Sequence, residues 1–176
     1  MKGVVVLLLA VLAGPPGRAD MLIEDFTEDP TARWSFFTDR VMGGRSEGQA
    51  VIGGAPPHLH LSGTVSTANN GGFIQARHPL DGLPADTTTL TLVARGDGQT
   101  YYIHLRSTAT RLPWQFYQAS FTAPRDWADV TVPLSRFTAS GGGLPPLEAA
   151  DARSVALVAY GRDHQADLRV SHIRAD

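Results

Sequence analysis

The sequence of 176 residues contains no cysteine and few charged residues. Without cysteine, the chain can form no disulfide in an oxidising compartment and cannot be held at a membrane through an acylated cysteine. Charged residues make up only 18% of the chain, and the net charge of -2 leaves no basic stripe to neutralise a phosphate backbone. We therefore expect no nucleic-acid partner, and we expect a fold that is stabilised by its core alone.

Long apolar runs are also lacking. The run from Val4 to Leu12 is too short to cross a bilayer as a helix, and no later stretch is as apolar. We therefore expect no stable membrane insertion of the mature protein.

This apolar run belongs to a segment with the order of a secretory signal peptide. Lys2 precedes the run, and the small-residue pattern Gly17-Arg18-Ala19 follows it, with cleavage expected directly afterwards. The sequence predicts a signal peptide over residues 1–19 and a single domain over residues 20–176 of a periplasmic or secreted protein. If translation starts at Met21 instead, the protein is cytoplasmic.

Glycine and proline are abundant, with 18 and 12 residues, and helices tolerate neither well. From Met21 onward, short runs of alternating polarity are separated by turn residues at about the 8–12-residue spacing of a sandwich or barrel. We predict one all-β domain with a single core. The predicted strands cover residues 21–26, 34–37, 48–52, 58–65, 72–77, 88–94, 100–106, 115–122, 128–133, 154–160 and 166–173.

Two of these strands, 100–106 and 115–122, are predicted to pair as a hairpin whose alternation assigns two faces. The side chains predicted to face the core are Tyr101, Ile103, Leu105, Tyr117, Ala119 and Phe121. The candidate ligand site on the other face comprises Tyr102, His104, Arg106, Phe116 and Gln118. Rings beside polar groups suit a sugar or an extended peptide, because a pyranose stacks its C–H face on a ring while donors and acceptors contact its hydroxyls. The alternative is a half-buried face that is covered by the loop from Ser107 to Pro113.

A corner around paired glycines lies between two predicted strands, in the segment Asp39-Arg40-Val41-Met42-Gly43-Gly44-Arg45-Ser46. Glycines permit positive φ and close backbone approach, so we interpret this segment as a built corner. One interpretation is a partner or ligand surface formed by Asp39, Arg40, Arg45 and Ser46. The other is architectural: Asp39 caps amides of the glycine turn, Arg40 pairs with Asp39, and Met42 fills the core.

Metal and catalytic motifs are weak or absent. His58 and His60 would share one strand face, but no third ligand is evident, so a solvated strand face is the simpler interpretation. A group of acids that could supply oxygens to a structural calcium ion comprises Glu24, Asp25, Glu28 and Asp29. These acids form no ordered ligand loop. The sequence contains no nucleophile elbow, zinc-protease motif or phosphate loop, and we expect no cofactor, no metal and no catalytic residue.

Several separated motifs span the mature chain. They are Trp34, Asp39–Ser46, Gly71-Gly72-Phe73-Ile74, Arg95-Gly96-Asp97-Gly98 leading into Tyr101, Tyr117-Gln118, and Trp127 with Val132-Pro133-Leu134 and Phe137. Together they resemble the complex I intermediate-associated protein 30 family. The residues that the resemblance marks as structural are Trp34, Met42, Gly43, Gly44, Gly71, Gly72, Gly96, Asp97, Gly98 and Trp127.

The resemblance implies a galactose-binding-like fold, a two-sheet antiparallel β-sandwich of the jelly-roll type that is similar to carbohydrate-binding modules. Eukaryotic members of the family are assembly factors of mitochondrial respiratory complex I, which act by association and not as enzymes. A secreted protein could not meet the matrix-side arm of that complex, so the resemblance carries over the fold better than the role.

We therefore expect a non-catalytic binding protein with a protein partner, as an assembly or folding factor has. The alternative is a glycan-binding module that uses the face with Tyr102, His104 and Arg106. A hydrolase or a metal-dependent enzyme is the third hypothesis, and no residue is singled out for it.

The signal-peptide prediction is tested by N-terminal sequencing of the protein recovered from its native host. Because signal peptidase cleaves after the small-residue pattern, we expect the mature chain to begin at Asp20. A protein that retains Met1, or that begins at Met21, would contradict export.

Overall fold

The computed structural model describes residues 20–176, and the predicted signal peptide, residues 1–19, lies outside the described residues. The described part contains twelve strands. They are β1 Met21–Glu24, β2 Ser35–Thr38, β3 Glu47–Gly53, β4 His58–Val65, β5 Phe73–Pro79, β6 Thr89–Gly96, β7 Thr100–Ser107, β8 Phe116–Thr122, β9 Ala128–Pro133, β10 Thr138–Ser140, β11 Ala152–Tyr160 and β12 His164–Ala175. The helices in this part are 3-10 turns of three or four residues, and none of them could span a membrane.

The strands form two antiparallel sheets of six strands each. The first sheet has the order β3-β4-β12-β6-β9, with β1 paired to β12, and the second sheet has the order β10-β8-β7-β11-β5-β2. Because the chain crosses repeatedly between the sheets, neighbours in one sheet are often distant in sequence. The predicted all-β jelly-roll sandwich is confirmed.

Side-chain alternation fills the space between the sheets. Leu59 and Leu61 of β4 in the first sheet are completely buried, as are Ile103 and Leu105 of β7 in the second sheet. All six side chains that the hairpin pattern assigns to the core are buried. Burying one such side chain contributes about 1.5–3 kcal/mol, so this single core is the main source of stability.

The predicted strands agree with the observed ones to within two residues at each end, and one observed strand, β10, is not predicted. β1 ends at Glu24, because the Glu24 carboxylate accepts hydrogen bonds from the amides of Asp25 and Phe26. These bonds end the pairing of β1 with β12. Phe26 then adopts a positive φ of 61°. The sequence pattern does not predict β10, since its three residues, Thr138–Ser140, are too few to show a period and pair at a sheet edge with β8.

The turn from Gly96 to Gln99 carries the chain from β6 in the first sheet to β7 in the second. Gly98 has a positive φ of 81°, which favours glycine. Asp97 accepts hydrogen bonds from the amide of Gln99 and from the hydroxyl of Tyr101, each at 3.0 Å. These bonds fasten the crossing to a completely buried core tyrosine.

Glu24 ends β1 with a buried carboxylate. Its oxygens accept hydrogen bonds from the guanidinium of Arg33 at 2.9 Å, the indole N–H of Trp34 at 3.0 Å and the amide of Phe26 at 2.8 Å. Burial alone would raise the pKa of Glu24, but these hydrogen bonds outweigh it and hold the pKa below its ordinary value. The ionised carboxylate therefore ties the N-terminal strand of the first sheet to the segment that enters the second sheet.

The substitution Glu24→Gln keeps the shape of this side chain and removes its charge. We expect the free energy of unfolding to fall by about 2 kcal/mol, because hydrogen bonds to charged groups contribute about 1.5–3 kcal/mol. Glu28→Gln, at an exposed acid, should leave it nearly unchanged. Denaturant unfolding at neutral pH measures both variants, and equal stabilities would contradict the role of Glu24.

The lowered pKa of Glu24 determines how the stability of the fold changes with pH. Since the folded-state pKa of Glu24 is lowered, its stabilising contribution is present above the pKa of an unfolded glutamate, about 4.3, and is lost as the pH falls toward the folded-state pKa. We expect the melting temperature of the wild type to fall more steeply in acid than that of Glu24→Gln. Parallel acid profiles of the two proteins would contradict this linkage.

Candidate functional site

The first candidate site is the corner around the paired glycines, between β2 and β3. Asp39 starts the 3-10 helix Asp39–Met42, and its side chain is completely buried. The carboxylate accepts hydrogen bonds from the amide and the hydroxyl of Ser46 and from the amides of Gly72 and Phe73. One side chain therefore joins the end of β2 to the starts of β3 and β5.

Glycines leave the space that this carboxylate occupies. A Cβ added at Gly44 would lie 2.2 Å from Cγ of Asp39, and one at Gly71 would lie 2.3 Å from its Oδ2. Gly43 ends the 3-10 helix at a φ of 89°, in the left-handed region that favours glycine. Several glycines of the family-like motifs thus fit around one buried acid.

The pKa of Asp39 depends on the groups that donate hydrogen bonds to its carboxylate. Burial alone would raise the pKa of Asp39, but the hydrogen bonds from Ser46, Gly72 and Phe73 outweigh it and hold the pKa below its ordinary value. The carboxylate is therefore ionised at neutral pH, and its oxygens already accept hydrogen bonds from other groups of the protein. It is not free to bind a ligand.

The structure corrects the expectation of an exposed surface made by Asp39, Arg40, Arg45 and Ser46. Asp39 and Ser46 are completely buried, whereas Arg40 and Arg45 are exposed. The architectural interpretation is right about the cap on the glycine turn. It is wrong about the ion pair, because the short helix directs Arg40 outward, where it pairs with Glu47.

Met42 does not fill the core. Its side chain is 64% exposed, and that of Val41 is 75% exposed. Both residues lie on the solvent side of the short helix whose first residue, Asp39, is buried. The corner therefore exposes two apolar side chains on a short helix that the buried Asp39 anchors. We call Val41 and Met42 the apolar tip.

The second candidate site is the outer face of the second sheet. The structure brings the five predicted side chains together, since His104 lies opposite Gln118 in register and the ring of Phe116 stacks on His104 at 4.1 Å between centroids. Strands β2, β5 and β11 extend the face with residues that the hairpin alone does not indicate. These further residues are Phe37, Phe73, Gln75, Arg77 and Tyr160. The alternation of Phe73, Gln75 and Arg77 is visible in the sequence, but the position of β5 in the sheet is not.

Four rings on this face form what we call the aromatic cluster, Tyr102, His104, Phe116 and Tyr160. Tyr160 meets the rings of Tyr102, His104 and Phe116 nearly edge-on, at centroid distances of 5.6, 5.4 and 6.3 Å. His104 is buried, and the other three rings are partly exposed. The cluster thus keeps ring surface accessible on the sheet.

Polar atoms without hydrogen-bond partners accompany the aromatic cluster. Within residues 20–176, no hydrogen bond of normal geometry is found for Oε1 of Gln75, Nε2 of His104 or Oε1 of Gln118, although the side chains of His104 and Gln118 face each other and interact. Burial, together with the charge of Arg77, lowers the pKa of His104 to about 3, so its imidazole is neutral at physiological pH. Native proteins leave few buried polar atoms unpaired, and here three of them share one face of one sheet.

A cleft of about 630 Å³ opens at one end of this face, and we call it the arginine cleft. Its lining residues are Ala32, Arg33, Ser35, Phe37, Arg77, Pro79, Arg106, Ser107, Thr110, Arg153 and Ser154. Four of them are arginines, four carry hydroxyl groups, and none is acidic. The cleft is therefore strongly basic in a chain that is slightly acidic overall.

Three of the four arginines contact other groups of the protein. Arg33 pairs with the buried Glu24 at 2.9 Å, which neutralises its charge. Arg106 and Arg153 donate to backbone carbonyls, which are polar but carry no charge. Since neither pairs with an acid in the part of the chain that the structure describes, both arginines keep an unbalanced positive charge at the cleft.

Arg77 differs from the other three. Its guanidinium carbon lies 4.6 Å from the ring centre of Phe37, and within residues 20–176 the guanidinium makes no hydrogen bond or ion pair. Burial, together with the charge of Arg106, lowers the pKa of Arg77. The structure thus holds a half-buried cation against a ring and beside a like charge.

The loop from Ser107 to Pro113, which one of the two interpretations places over this face, lies at its end. Arg106 donates to the carbonyls of Leu112 and Pro113 at 3.1 and 3.2 Å, and Thr110 lines the arginine cleft. The rings of the aromatic cluster nevertheless remain partly exposed. The loop therefore borders the face and does not bury it.

The remaining candidate residues contact other parts of the protein. His58 packs on the ring of Trp127 at 5.5 Å, and His60 contacts the carboxylate of Asp167 at 2.8 Å. Glu24, a candidate calcium ligand in the sequence, is instead buried and paired with an arginine. In the part of the chain that the structure describes, no group of three or more His, Asp or Glu side chains could hold a metal ion.

Comparison with known families gives one match that covers most of the chain. The sequence model of complex I intermediate-associated protein 30 matches residues 24–170. A comparison with curated proteins finds no match.

Several solved structures share the fold. A family 11 carbohydrate-binding module from Clostridium thermocellum, in complex with a β-1,3-1,4-mixed-linked tetrasaccharide, is 17% identical, with a TM-score of 0.66 over 89% of this chain and 94% of that one. A family 30 module of the cellulase Cel9D-Cel44B from the same organism is 14% identical, with a TM-score of 0.61 over 90% and 98%. The agarase AgWH50C is 13% identical, with a TM-score of 0.61 over 90% of this chain and 24% of the agarase. At these identities the likeness shows a shared β-sandwich fold.

The substitution Asp39→Asn tests the support of the corner. An amide NH₂ group would face donors that now share the carboxylate, so we expect the free energy of unfolding to fall by about 2–3 kcal/mol. Arg40→Gln, at the next residue, removes only an exposed ion pair and should leave stability nearly unchanged. Denaturant unfolding followed by tryptophan fluorescence compares the two. An Asn variant as stable as the Gln variant would show that the carboxylate is not the support.

Proposed function

The chain belongs to the complex I intermediate-associated protein 30 family, and from this family and its fold we propose that it is a non-catalytic binding protein. Its ligand is an oligosaccharide, which lies across the outer face of the second sheet. The observation that carries this proposal is the aromatic cluster, whose partly exposed rings lie beside side-chain amides.

An oligosaccharide needs apolar and polar contacts at once. The rings of Tyr102, Phe116 and Tyr160 offer surface to the C–H faces of sugars. The amides of Gln75 and Gln118 offer donors and acceptors to their hydroxyls. After a rotation of either amide, a sugar hydroxyl can donate to an oxygen that has no partner within the described residues.

The fold is compatible with this role. The family 11 carbohydrate-binding module that shares the β-sandwich was solved in complex with a mixed-linked tetrasaccharide. Binding on a sheet face requires an accessible row of side chains, and the partly exposed rings of the aromatic cluster meet that requirement here. These two points support a sugar ligand over other small molecules.

A binding role is favoured over hydrolysis by the charges on the face. Glycoside hydrolysis generally uses a pair of carboxylic acids across the scissile bond. The register of β2, β5, β7, β8, β10 and β11 places no Asp or Glu on the outer face of this sheet. His104, the histidine of the aromatic cluster, has a pKa of about 3 and would be a poor proton donor at neutral pH.

A protein partner is the second candidate, and the apolar tip is the observation that favours it. Val41 and Met42 are both well exposed, and a pair of apolar side chains on a corner that the hydrogen bonds of Asp39 hold in place suits a docking contact. Arg40 and Arg45 flank this pair and are exposed. An assembly or folding factor could use such a tip without using the sheet face.

The two candidates are separated by matched variants. Tyr102→Ala removes a ring of the aromatic cluster, and Val41→Ser removes half of the apolar tip. We expect a glycan panel, including mixed-linked, cellulosic and galactan oligosaccharides, to show at least one ligand. Its affinity should fall about tenfold or more in Tyr102→Ala, equivalent to about 1.4 kcal/mol, and should be unchanged in Val41→Ser. Calorimetric titration measures this.

The opposite pattern would overturn the sugar proposal. It would consist of a panel without binding, together with a stoichiometric protein partner that co-purifies with the wild type and Tyr102→Ala but is lost in Val41→Ser. That result would assign function to the apolar tip.

A further inference from the structure

The arginine cleft bears on the chemistry of the ligand, and this inference rests on the proposed function. Arg106 follows His104 on the outer face of β7, and Arg77 follows Gln75 on the same face of β5. Residues two apart on a strand are separated by about 7 Å. A ligand that lies across the aromatic cluster therefore needs to extend only a short distance to enter the cleft.

We propose that the ligand is an acidic glycan, and that Arg77 binds its carboxylate or sulfate group in the arginine cleft. Arg106 and Arg153 add positive charge around that group. The aromatic cluster binds the neighbouring sugar rings.

Arg77 is available for this contact. A guanidinium has five N–H donors in a planar fork that matches the two oxygens of a carboxylate or sulfate. Within residues 20–176, Arg77 uses none of them in a hydrogen bond. A half-buried cation without a counter-charge is costly to hold, and an anion in the cleft would relieve that cost.

The charges around Arg77 also favour an anionic ligand. Among the described residues, no acid lines the cleft. Glu24, which pairs with the cleft residue Arg33, is buried. Arg106 and Arg153 bond to carbonyls, which leave their charges unbalanced. A neutral ligand would leave three like charges together, whereas an anion lowers their mutual repulsion.

The size and lining of the cleft favour an acid that is attached to a sugar over a small inorganic anion. Its volume of about 630 Å³ lies within the range of about 300–1,000 Å³ that is typical of organic ligand sites. Hydroxyl groups of Ser35, Ser107, Thr110 and Ser154 also line it. They can bond to sugar hydroxyls around the acidic group.

The experiment uses matched neutral and acidic oligosaccharides with the mature protein. The pairs are a galactose tetramer with a galacturonic acid tetramer, and a neutral galactan oligosaccharide with its sulfated form. We expect calorimetry to give at least about tenfold tighter binding for the acidic member of a pair, with a preference that weakens as salt is added.

Variants assign the preference to residues. Arg77→Gln should abolish the preference for the acidic member, and Arg153→Gln, at an exposed position on the rim, should reduce it without disturbing the packing. Arg45→Gln, at the corner and outside the cleft, should retain it in full. Melting temperatures of the three variants show that each remains folded.

The outcomes separate this inference from the proposed function. Equal affinity for neutral and acidic members, unchanged in Arg77→Gln, would overturn the acidic-glycan inference and leave sugar binding standing. Absence of binding to every oligosaccharide would overturn the proposed function and this inference with it. Arg77-dependent binding of a tetraglutamate peptide, with no binding of acidic sugars, would overturn the assignment of a glycan.

Discussion

One buried carboxylate holds the end of this sandwich together. Asp39 accepts hydrogen bonds from Ser46, which leads into β3 of the first sheet, and from Gly72 and Phe73, where β5 of the second sheet begins. In a chain without cysteine, and so without disulfides, these charge-assisted bonds connect the two sheets. The burial of a charge is compensated because several donors surround it, and the lack of a side chain at Gly44 leaves room for it.

Because Asp39 is buried in the corner, the corner and the outer face of the second sheet differ in what they can offer to a ligand. The corner serves the architecture, and what it offers to a partner is the apolar tip that it supports. The outer face of the second sheet carries the features that core packing does not account for: accessible rings, unpaired amide oxygens and the uncompensated guanidinium of Arg77. Rings and amides suit sugar hydroxyls and C–H faces, and an arginine without an acid suits an anion. A single extended ligand could satisfy all of them.

The sequence predicts the parts of this picture that depend on neighbouring residues. Alternation in the hairpin places Tyr102, His104 and Phe116 on one face, and the glycine pattern locates the corner. The contributions of Arg77 and Tyr160 could not be predicted, because they depend on β5 and β11 lying side by side, far from each other in sequence. The burial of Asp39 and the exposure of the apolar tip were also hidden, since a 3-10 turn of four residues shows no period that would assign its faces.

The division between a supporting corner and a binding face is tested most directly by NMR. Backbone amide shifts would be followed while the galacturonic acid tetramer is titrated into the labelled mature protein. We expect changes concentrated in β5, β7, β8 and β11, with the amides of Gly43 and Gly44 unmoved. Changes centred on residues 39–46, with the sheet unaffected, would contradict that division and place recognition at the corner.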